Sequence, residues 1–326
     1  MDVLQRNIIC SSIVILASSS IVDQIAAHEL GDFGQYPRGV TIGDPIALVL
    51  PPGLYFENIS LFAPEALGYG QYHGIKVDGV LEVPTVAWST GWNFLGANVS
   101  MYLSQPAYNL TTWNAATPGP PFTGATFYPE RANTWITPLA LSWNLGNGWF
   151  ANTGFALHVP DGTSYNNTTN PDYLTYEPHV ALTYFANGWN LTANFVYDFN
   201  TASAGHTGVF AGTPLAAFGR GYRSGDQAFL ELTATKKIGK WEIGPVAYFA
   251  WQTIQDRPGG GFSCAALAAT TQSLITCGRT TDYAIGGLLG YDFGPVALKT
   301  YLTDSVYTRD SVGGLAVWTK LTFKFW

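Results

Sequence analysis

Charged residues are scarce in this sequence. Asp, Glu, Lys and Arg make up only 11% of its 326 residues, whereas an average soluble domain carries about 25%. A soluble surface of this size needs more charge, so we expect much of the surface to contact something other than water. A run rich in Lys and Arg is also missing, and the net charge is −7. This charge balance excludes nucleic acid as a partner.

Long hydrophobic runs are absent as well. Although 47% of the residues are hydrophobic, no apolar run after the N-terminus reaches the roughly 18 residues that a membrane-spanning helix needs. Phosphate-binding loops, dinucleotide fingerprints and zinc-ligand spacings are missing too, so we expect no cofactor and no metal. The apolar residues are therefore dispersed, and the 36 Gly and 19 Pro favour many turns over long helices.

Residues 1–27 predict a cleaved signal peptide that directs export. A short apolar stretch begins at Ile8, and Asp23 interrupts it before it could span a bilayer. A single N-terminal anchor helix is the alternative. Cleavage leaves Cys264 and Cys277, which in an exported protein predict a disulfide, with two free thiols as the alternative.

Alternation of apolar and polar residues predicts long β-strands. In "WNLTANFVYDFN", residues 189–200, every second side chain is apolar, and the C-terminal "LAVWTKLTFKFW" repeats this pattern with lysines in the other row. Such segments exceed the about 5–6 residues of soluble strands and match the about 9–11 that cross a bilayer at a tilt. Twelve segments qualify, at 54–62, 74–90, 94–105, 134–145, 149–159, 174–186, 189–200, 226–237, 240–255, 281–293, 296–307 and 314–326.

The connections between these segments alternate between short and long. Turns such as "GNG" and "NG" alternate with longer connections such as 106–133 and 201–225, which is typical of bacterial outer-membrane barrels. An open sheet edge would leave amides unpaired in lipid, so the sheet must close. The sequence therefore predicts an all-β fold: a transmembrane antiparallel up-and-down β-barrel of about 12 strands over residues 54–326, with an N-terminal extension, 28–53, before it.

Tryptophans gather at the ends of the short turns. Such a girdle of interface aromatics is expected at the periplasmic side of a barrel. The last strand also ends on aromatic residues, a feature by which such barrels are recognised, so we expect the barrel-assembly machinery and outer-membrane lipid as partners. The predicted interface aromatics are Trp92, Trp149, Trp189, Trp241 and Trp326.

The stretch "LPPGLYFEN" resembles the element that leads into the first strand of an outer-membrane transporter family. This family is named for the MetA pathway of phenol degradation, and the preceding "HELGDFGQYPRGVTIGDPIALVLPPG" is similar to its N-terminal extension. The resemblance implies passage of small, aromatic or otherwise hydrophobic compounds through the outer membrane of a Gram-negative bacterium. The extension could enter the lumen as a plug or lie in the periplasm, and the sequence leaves both open.

One row of side chains on each strand is expected to face the lumen. A Lys or Arg that faces lipid near the midplane costs about 2–4 kcal/mol, so charged rows should point inward. These residues could hydrate a pathway or pair and brace a filled lumen, and the aromatics could stack on a solute or fill space. The predicted lumen-lining residues are Lys76, Asp78, Glu82, Glu177, His179, Asp198, Glu231, Glu242, Lys299, Lys320 and Lys324, with the aromatics Trp88, Tyr102, Tyr248, Tyr301 and Trp318.

The function that these observations favour is passive uptake of small solutes through an outer-membrane channel. A structural or adhesive surface protein is the alternative, and it would use the outer loops rather than the lumen. A membrane-embedded lipid hydrolase is the other alternative, with His158 or His179 near Ser164. No nucleophile motif supports a hydrolase, so we expect no enzyme.

Overall fold

A computed structural model describes residues 34–69, 75–114, 125–126, 130–163, 171–204, 216–270 and 277–324. The predicted signal peptide, residues 1–27, lies outside these ranges, as do Ser164 and Trp326. Among the described residues, no helix is both long and apolar enough to cross a membrane.

Nearly all of the regular structure is β-strand. The strands are β1 (Gly53–Gly68), β2 (Ile75–Phe94), β3 (Ala97–Ser104), β4 (Ala107–Asn114), β5 (Ala125–Thr126), β6 (Glu130–Arg131), β7 (Thr134–Gly146), β8 (Trp149–Val159), β9 (Thr175–Ala186), β10 (Trp189–Asn200), β11 (Gln227–Ile238), β12 (Trp241–Gln252), β13 (Thr281–Asp292), β14 (Val296–Arg309), β15 (Val312–Gly313) and β16 (Ala316–Lys324). Two short helices, α1 (Ala216–Gly219) and α2 (Cys264–Thr270), lie in the connections.

The sheet closes into a ring of 12 antiparallel strands. Closure occurs at β1, where Asn58 lies opposite Pro84 of β2 on one side and Leu321 of β16 on the other. Every strand edge in the ring is therefore paired, as a sheet in hydrocarbon requires. The predicted fold class is confirmed: the chain has the fold of an outer-membrane β-barrel.

The connection 106–133 differs from its prediction as a loop. Its first part forms β4, which pairs with the N-terminal part of β2, from Ile75 to Glu82. The cause is the length of β2, which at 20 residues extends well beyond β3. Unpaired amides on that half of β2 would lose hydrogen bonds, and β4 supplies them.

The short turns fit the hairpins that they close. In "LG" at 95–96 and in "NG" at 147–148 and 187–188, both residues have positive φ, as a two-residue type I′ turn requires. Trp92, Trp149, Trp189 and Trp241 are exposed and lie beside the short turns. Their large apolar side chains are thus exposed at the end of the barrel where both termini of the ring also lie.

A disulfide joins Cys264 to Cys277 between β12 and β13. Cys264 begins α2, whose Leu267 is fully buried beneath the loop. The crosslink therefore closes a short loop that has its own small apolar anchor.

Removal of this disulfide should loosen the loop without unfolding the barrel. Crosslinking a loop of this size stabilises it by about 3 kcal/mol, chiefly through the entropy of the open chain. In the variant Cys264→Ser/Cys277→Ser we expect protease cleavage between β12 and β13 to accelerate by about 100-fold, while the unfolding temperature of the barrel stays within a few degrees. Wild-type protein treated with dithiothreitol is the control and should behave like the variant. An unchanged cleavage rate would show that Leu267 packing alone holds the loop.

Candidate functional site in the barrel lumen

Residues 34–50, here called the inner segment, lie inside the barrel. Tyr36 and Ile42 are at most 2% exposed, and they share one hydrophobic core with Phe229 and Trp318 of the barrel wall. The Tyr36 ring lies 4.8 Å from the Phe229 ring. The described part of the N-terminal extension thus fills part of the lumen.

Two tight turns fold the inner segment, within "PRGV" at 37–40 and "TIGD" at 41–44. In each, the amide of the fourth residue donates to the carbonyl of the first, at 3.0 and 3.1 Å. The third residues, Gly39 and Gly43, have φ of 93° and 86°, a region that favours glycine. A Cβ at Gly43 would also lie 2.6 Å from Cδ1 of Leu288. The turn therefore favours glycine at this position, and a larger residue would also have to displace the end of the Leu288 side chain.

Glu231 on β11 is the main anchor of the inner segment. Its Oε1 accepts a hydrogen bond from Gly39 N at 2.6 Å, and its Oε2 accepts from Thr41 N at 2.8 Å and from the Thr41 hydroxyl. Glu231 is only 2% exposed, so these bonds satisfy a charge that is shielded from water. Hydrogen bonds to a carboxylate are about twice as strong as those between neutral groups.

Further contacts hold the inner segment from several sides of the barrel. Lys320, which is fully buried, pairs with Asp44, and Arg38 NH1 lies 3.3 Å from Asp282 Oδ2. The other bonds run from Tyr301 OH to Gly39 O at 2.8 Å, from Gly43 N to Thr233 Oγ1 at 2.8 Å, from Asn190 Nδ2 to Gly43 O at 3.1 Å, from Asn194 Nδ2 to Thr41 Oγ1 at 3.0 Å and from Ala47 N to Thr183 Oγ1 at 3.3 Å.

Two cavities flank the inner segment. The loop-side cavity, of about 260 Å³, lies near the long connections and includes Leu61, Val77, Leu81 and Trp318 in its lining. The turn-side cavity, of about 380 Å³, extends toward the short turns, and its apolar lining includes Ile46, Leu48, Ile59, Tyr102 and Val196. The inner segment thus divides the free space of the lumen into two largely apolar compartments.

Most of the predicted lumen-lining residues lie on the inner face of the wall. Many of the charges pair: Lys299 Nζ lies 3.2 Å from Glu242 Oε2, and Lys320 pairs with Asp44. His179 lines the turn-side cavity. The aromatic residues Tyr248, Tyr301 and Trp318 are buried in the core, and Tyr102 lines the turn-side cavity. Glu177, Asp198 and Glu231 are each at most 2% exposed.

The structure places four of the predicted lining residues on the outer face of β2 instead. Val83 and Ser89 of this strand are buried inside, whereas Val80 and Val86, in the alternate row, are exposed. The misplaced residues belong to that exposed row: Lys76, Asp78, Glu82 and Trp88. Glu82 accepts hydrogen bonds there from two neighbours on β1, Asn58 Nδ2 at 2.7 Å and Ser60 Oγ at 2.6 Å.

The cause of this misplacement is that the inward row of β2 is apolar, whereas the outward row carries Lys76, Asp78 and Glu82. The inward row must pack against the loop-side cavity and the core, so its side chains resemble lipid-facing ones. Lys324 also lies outside the lumen, exposed at the turn-side rim, where its Nζ donates to Pro52 O at 2.9 Å. Lys324 lies at the rim because it is the last residue of β16.

Several residues of the lumen were not predicted from the sequence. Asp44 lies in the extension, whose place the sequence left open, and Glu57 lies on β1, whose two faces are hard to tell apart by composition. Trp135 and Asp282 are the second residues of β7 and β13, close to the strand ends, where boundaries are least certain. The repeated turn motif "PRGV" and "TIGD" was the available signal, because two glycine turns in succession favour an ordered segment.

His158, predicted as a candidate catalytic histidine, contacts a carboxylate instead. Its Nε2 lies 2.6 Å from Glu177 Oε2, and both side chains are buried with Asp198 close by. The potential ligand atoms of these three residues all lie within 4.8 Å of one another. His179 Nε2 lies 3.0 Å from Asn152 Oδ1, and Ser164 is outside the described residues.

The chain is similar to several solved structures. An outer membrane channel from Pseudomonas putida F1 is 10% identical, with a TM-score of 0.66 over 87% of this chain and 98% of that one. The translocator domain of the autotransporter NalP from Neisseria meningitidis is 12% identical, with a TM-score of 0.47 over 85% of this chain and 90% of that one. The CymD monoaromatic hydrocarbon channel is 9% identical, with a TM-score of 0.43 over 91% of this chain and 95% of that one.

No curated protein matches the chain. A family model described as "Putative MetA-pathway of phenol degradation" matches residues 65–321. That range covers β2 to β14 completely, together with most of the last strand. The chain therefore belongs to this family, which confirms the resemblance that its sequence suggested.

Proposed function

We propose that the protein is a passive channel that carries small apolar solutes, single-ring aromatics among them, across the outer membrane. The observation that carries this proposal is the pair of apolar cavities on either side of the inner segment. A hydrophilic porin would instead keep a polar, water-filled channel. Movement follows the solute gradient, and the proposal includes no catalysis.

The size of the cavities supports a single-ring solute. An apolar cavity of about 150 Å³ accommodates benzene, and the two cavities measure about 260 and 380 Å³. Each therefore has room for one substituted ring. Leu61, Val77 and Leu81 give the loop-side cavity an apolar wall, and its polar lining residues Asn133 and Asp282 are hydrogen-bonded to other parts of the protein.

The inner segment is proposed to act as a plug that gates passage between the cavities. It lies between them, and Glu231, Asp44 and Arg38 tie it to the wall. Its amides bond to side chains rather than to another strand, so it can leave without breaking the sheet of the barrel. A plugged lumen of this kind passes solute only when the segment shifts.

Uptake into liposomes tests the proposal. We expect protein in liposomes with a lipopolysaccharide outer leaflet to speed entry of phenol and toluene over the same liposomes without protein, with much less effect on glucose. The variant Leu81→Trp, which fills the loop-side cavity, should slow aromatic uptake several-fold because it leaves less room for a ring. The matched control is Val86→Trp, on the exposed face of the same strand, and it should take up solute like the wild type.

Two results would overturn the proposal. Aromatic uptake equal to that of protein-free liposomes would favour a structural or adhesive surface protein. Equal effects of Leu81→Trp and Val86→Trp would show that the loop-side cavity is not on the route.

A further inference from the structure

We propose that His158, Glu177 and Asp198 form a binding site for a divalent first-row transition-metal ion in the barrel wall. The ligand atoms of the three residues lie within 4.8 Å of one another, and each residue is at most 2% exposed. This group contains an imidazole as well as carboxylates, and one of them, Glu177, also lines the turn-side cavity.

Neighbouring strands bring the three residues together. On β9 and β10, the pairs Val196–His179 and Phe199–Tyr176 set a register that places Asp198 opposite Glu177. His158 on β8 lies opposite Thr175, which is two residues from Glu177 and therefore on the same face. No metal motif is visible in the sequence, because the ligands meet only when the three strands pair.

The charge of the cluster favours a cation. Two buried carboxylates that face each other repel, and burial makes each charge costly unless it is neutralised. A divalent ion would neutralise Glu177 and Asp198 together.

The donor set selects the class of metal. Imidazole nitrogen with carboxylate oxygen suits zinc and its first-row neighbours, whereas Ca²⁺ and Mg²⁺ prefer oxygen ligands alone. Bonds of about 2.0–2.2 Å to one ion place ligand atoms about 3–4 Å apart, so the widest separation in the cluster needs to contract by about 1–2 Å. The Trp135 ring stacks on His158 with centroids 5.1 Å apart and restrains the orientation of the imidazole.

The alternative is that protons, rather than a metal, join the three side chains. A carboxylic acid can share its proton with a facing carboxylate, and His158 Nε2 lies close enough to Glu177 to form a direct hydrogen bond. Metal binding measured directly separates this alternative from the proposal.

The experiment uses full-length protein in detergent, purified through a tag without histidine and treated with a chelator. After addition of Zn²⁺ or Co²⁺ and desalting, we expect one equivalent of metal by mass spectrometry, a visible absorption band for Co²⁺ and a raised unfolding temperature. Glu177→Gln and Asp198→Asn keep the side-chain shape, and each should weaken binding by more than about 100-fold, because loss of an outer-shell partner alone costs about 10–100-fold.

The matched control is His179→Gln, which changes another lumen histidine that contacts Asn152 instead of the cluster. It should bind the metal like the wild type. Heat-modifiable migration in SDS gels confirms that each variant forms a barrel. The proposal is overturned if the wild type retains no metal after desalting, or if Glu177→Gln and Asp198→Asn bind as tightly as His179→Gln.

Discussion

Replacement of Glu231 by alanine should release the inner segment from the lumen. The change removes the carboxylate that accepts from Gly39 N, Thr41 N and the Thr41 hydroxyl. Hydrogen bonds to a charged group are worth about 1.5–3 kcal/mol each, so the segment loses several kcal/mol of attachment. Since each 1.4 kcal/mol is about tenfold in an equilibrium, we expect the released population to rise by at least about 100-fold.

Trypsin provides a direct measure of release. Arg38 is a cleavage site inside the lumen, where its guanidinium pairs with Asp282, so a protease reaches it only after the segment has moved out. We expect cleavage after Arg38 to be slow in wild-type liposomes and at least about 100-fold faster in Glu231→Ala. Solute uptake should rise in the same variant.

The control for this prediction is Glu82→Ala, which removes the same group from the outer face of β2. Glu82 bonds to Asn58 and Ser60 on the outer face of the barrel, so cleavage at Arg38 should stay at the wild-type rate. Rapid cleavage after Arg38 in the wild type would contradict a position of the inner segment inside the lumen. Equal rates in both variants would show that Glu231 is not its anchor.

The barrel could be predicted from the sequence because its signal is local. In β10, the apolar row Leu191, Phe195 and Phe199 is exposed and the row with Asn194 and Asp198 is buried, as alternation of period two requires. Lipid on one side and a polar interior on the other make the two rows chemically different. The rule holds wherever the lumen side is polar.

The same rule fails where the lumen itself is apolar. The inward residues Val77, Leu81 and Val83 of β2 border the core and the loop-side cavity, so composition no longer distinguishes the faces. Charges on the outward face, such as Glu82, then suggested the opposite orientation. The register of β2 depends on what fills the lumen, and that is fixed only when the whole ring has closed.

Contacts between distant parts of the chain were also beyond sequence reasoning. Asp44 meets Lys320, and Gly39 meets Glu231, only because the inner segment enters the closed ring. Alternation could place Glu231 and Lys320 on the inner face, but it could not name their partners. The coupling energy between a residue of the inner segment and its partner on the barrel wall therefore tests whether the segment lies in the lumen.

The pair of Lys320 and Asp44 should show strong coupling in a double-mutant cycle. Lys320 is fully buried and holds Asp44 of the inner segment. Removal of one partner from a buried ion pair costs about 3–5 kcal/mol, because the other charge stays buried and uncompensated. We expect Lys320→Met to lower the free energy of unfolding of the lipid-bound barrel in urea by about this amount.

The double variant tests whether this loss of stability comes from the charge that is left unpaired in the single variant. In Lys320→Met/Asp44→Leu both charges are gone, so the free energy of unfolding should return to within about 1.5 kcal/mol of the wild type, since apolar replacement of a buried pair is often neutral or stabilising. The control pair is Lys237 and Asp292, whose Nζ and Oδ2 lie 2.7 Å apart at the exposed turn side and should couple by less than about 1 kcal/mol. Mutations at two distant sites with no shared partners usually have additive effects on stability. Residues 44 and 320 would behave independently if the extension lay in the periplasm, and additive losses in this cycle would therefore remove the inner segment from the lumen.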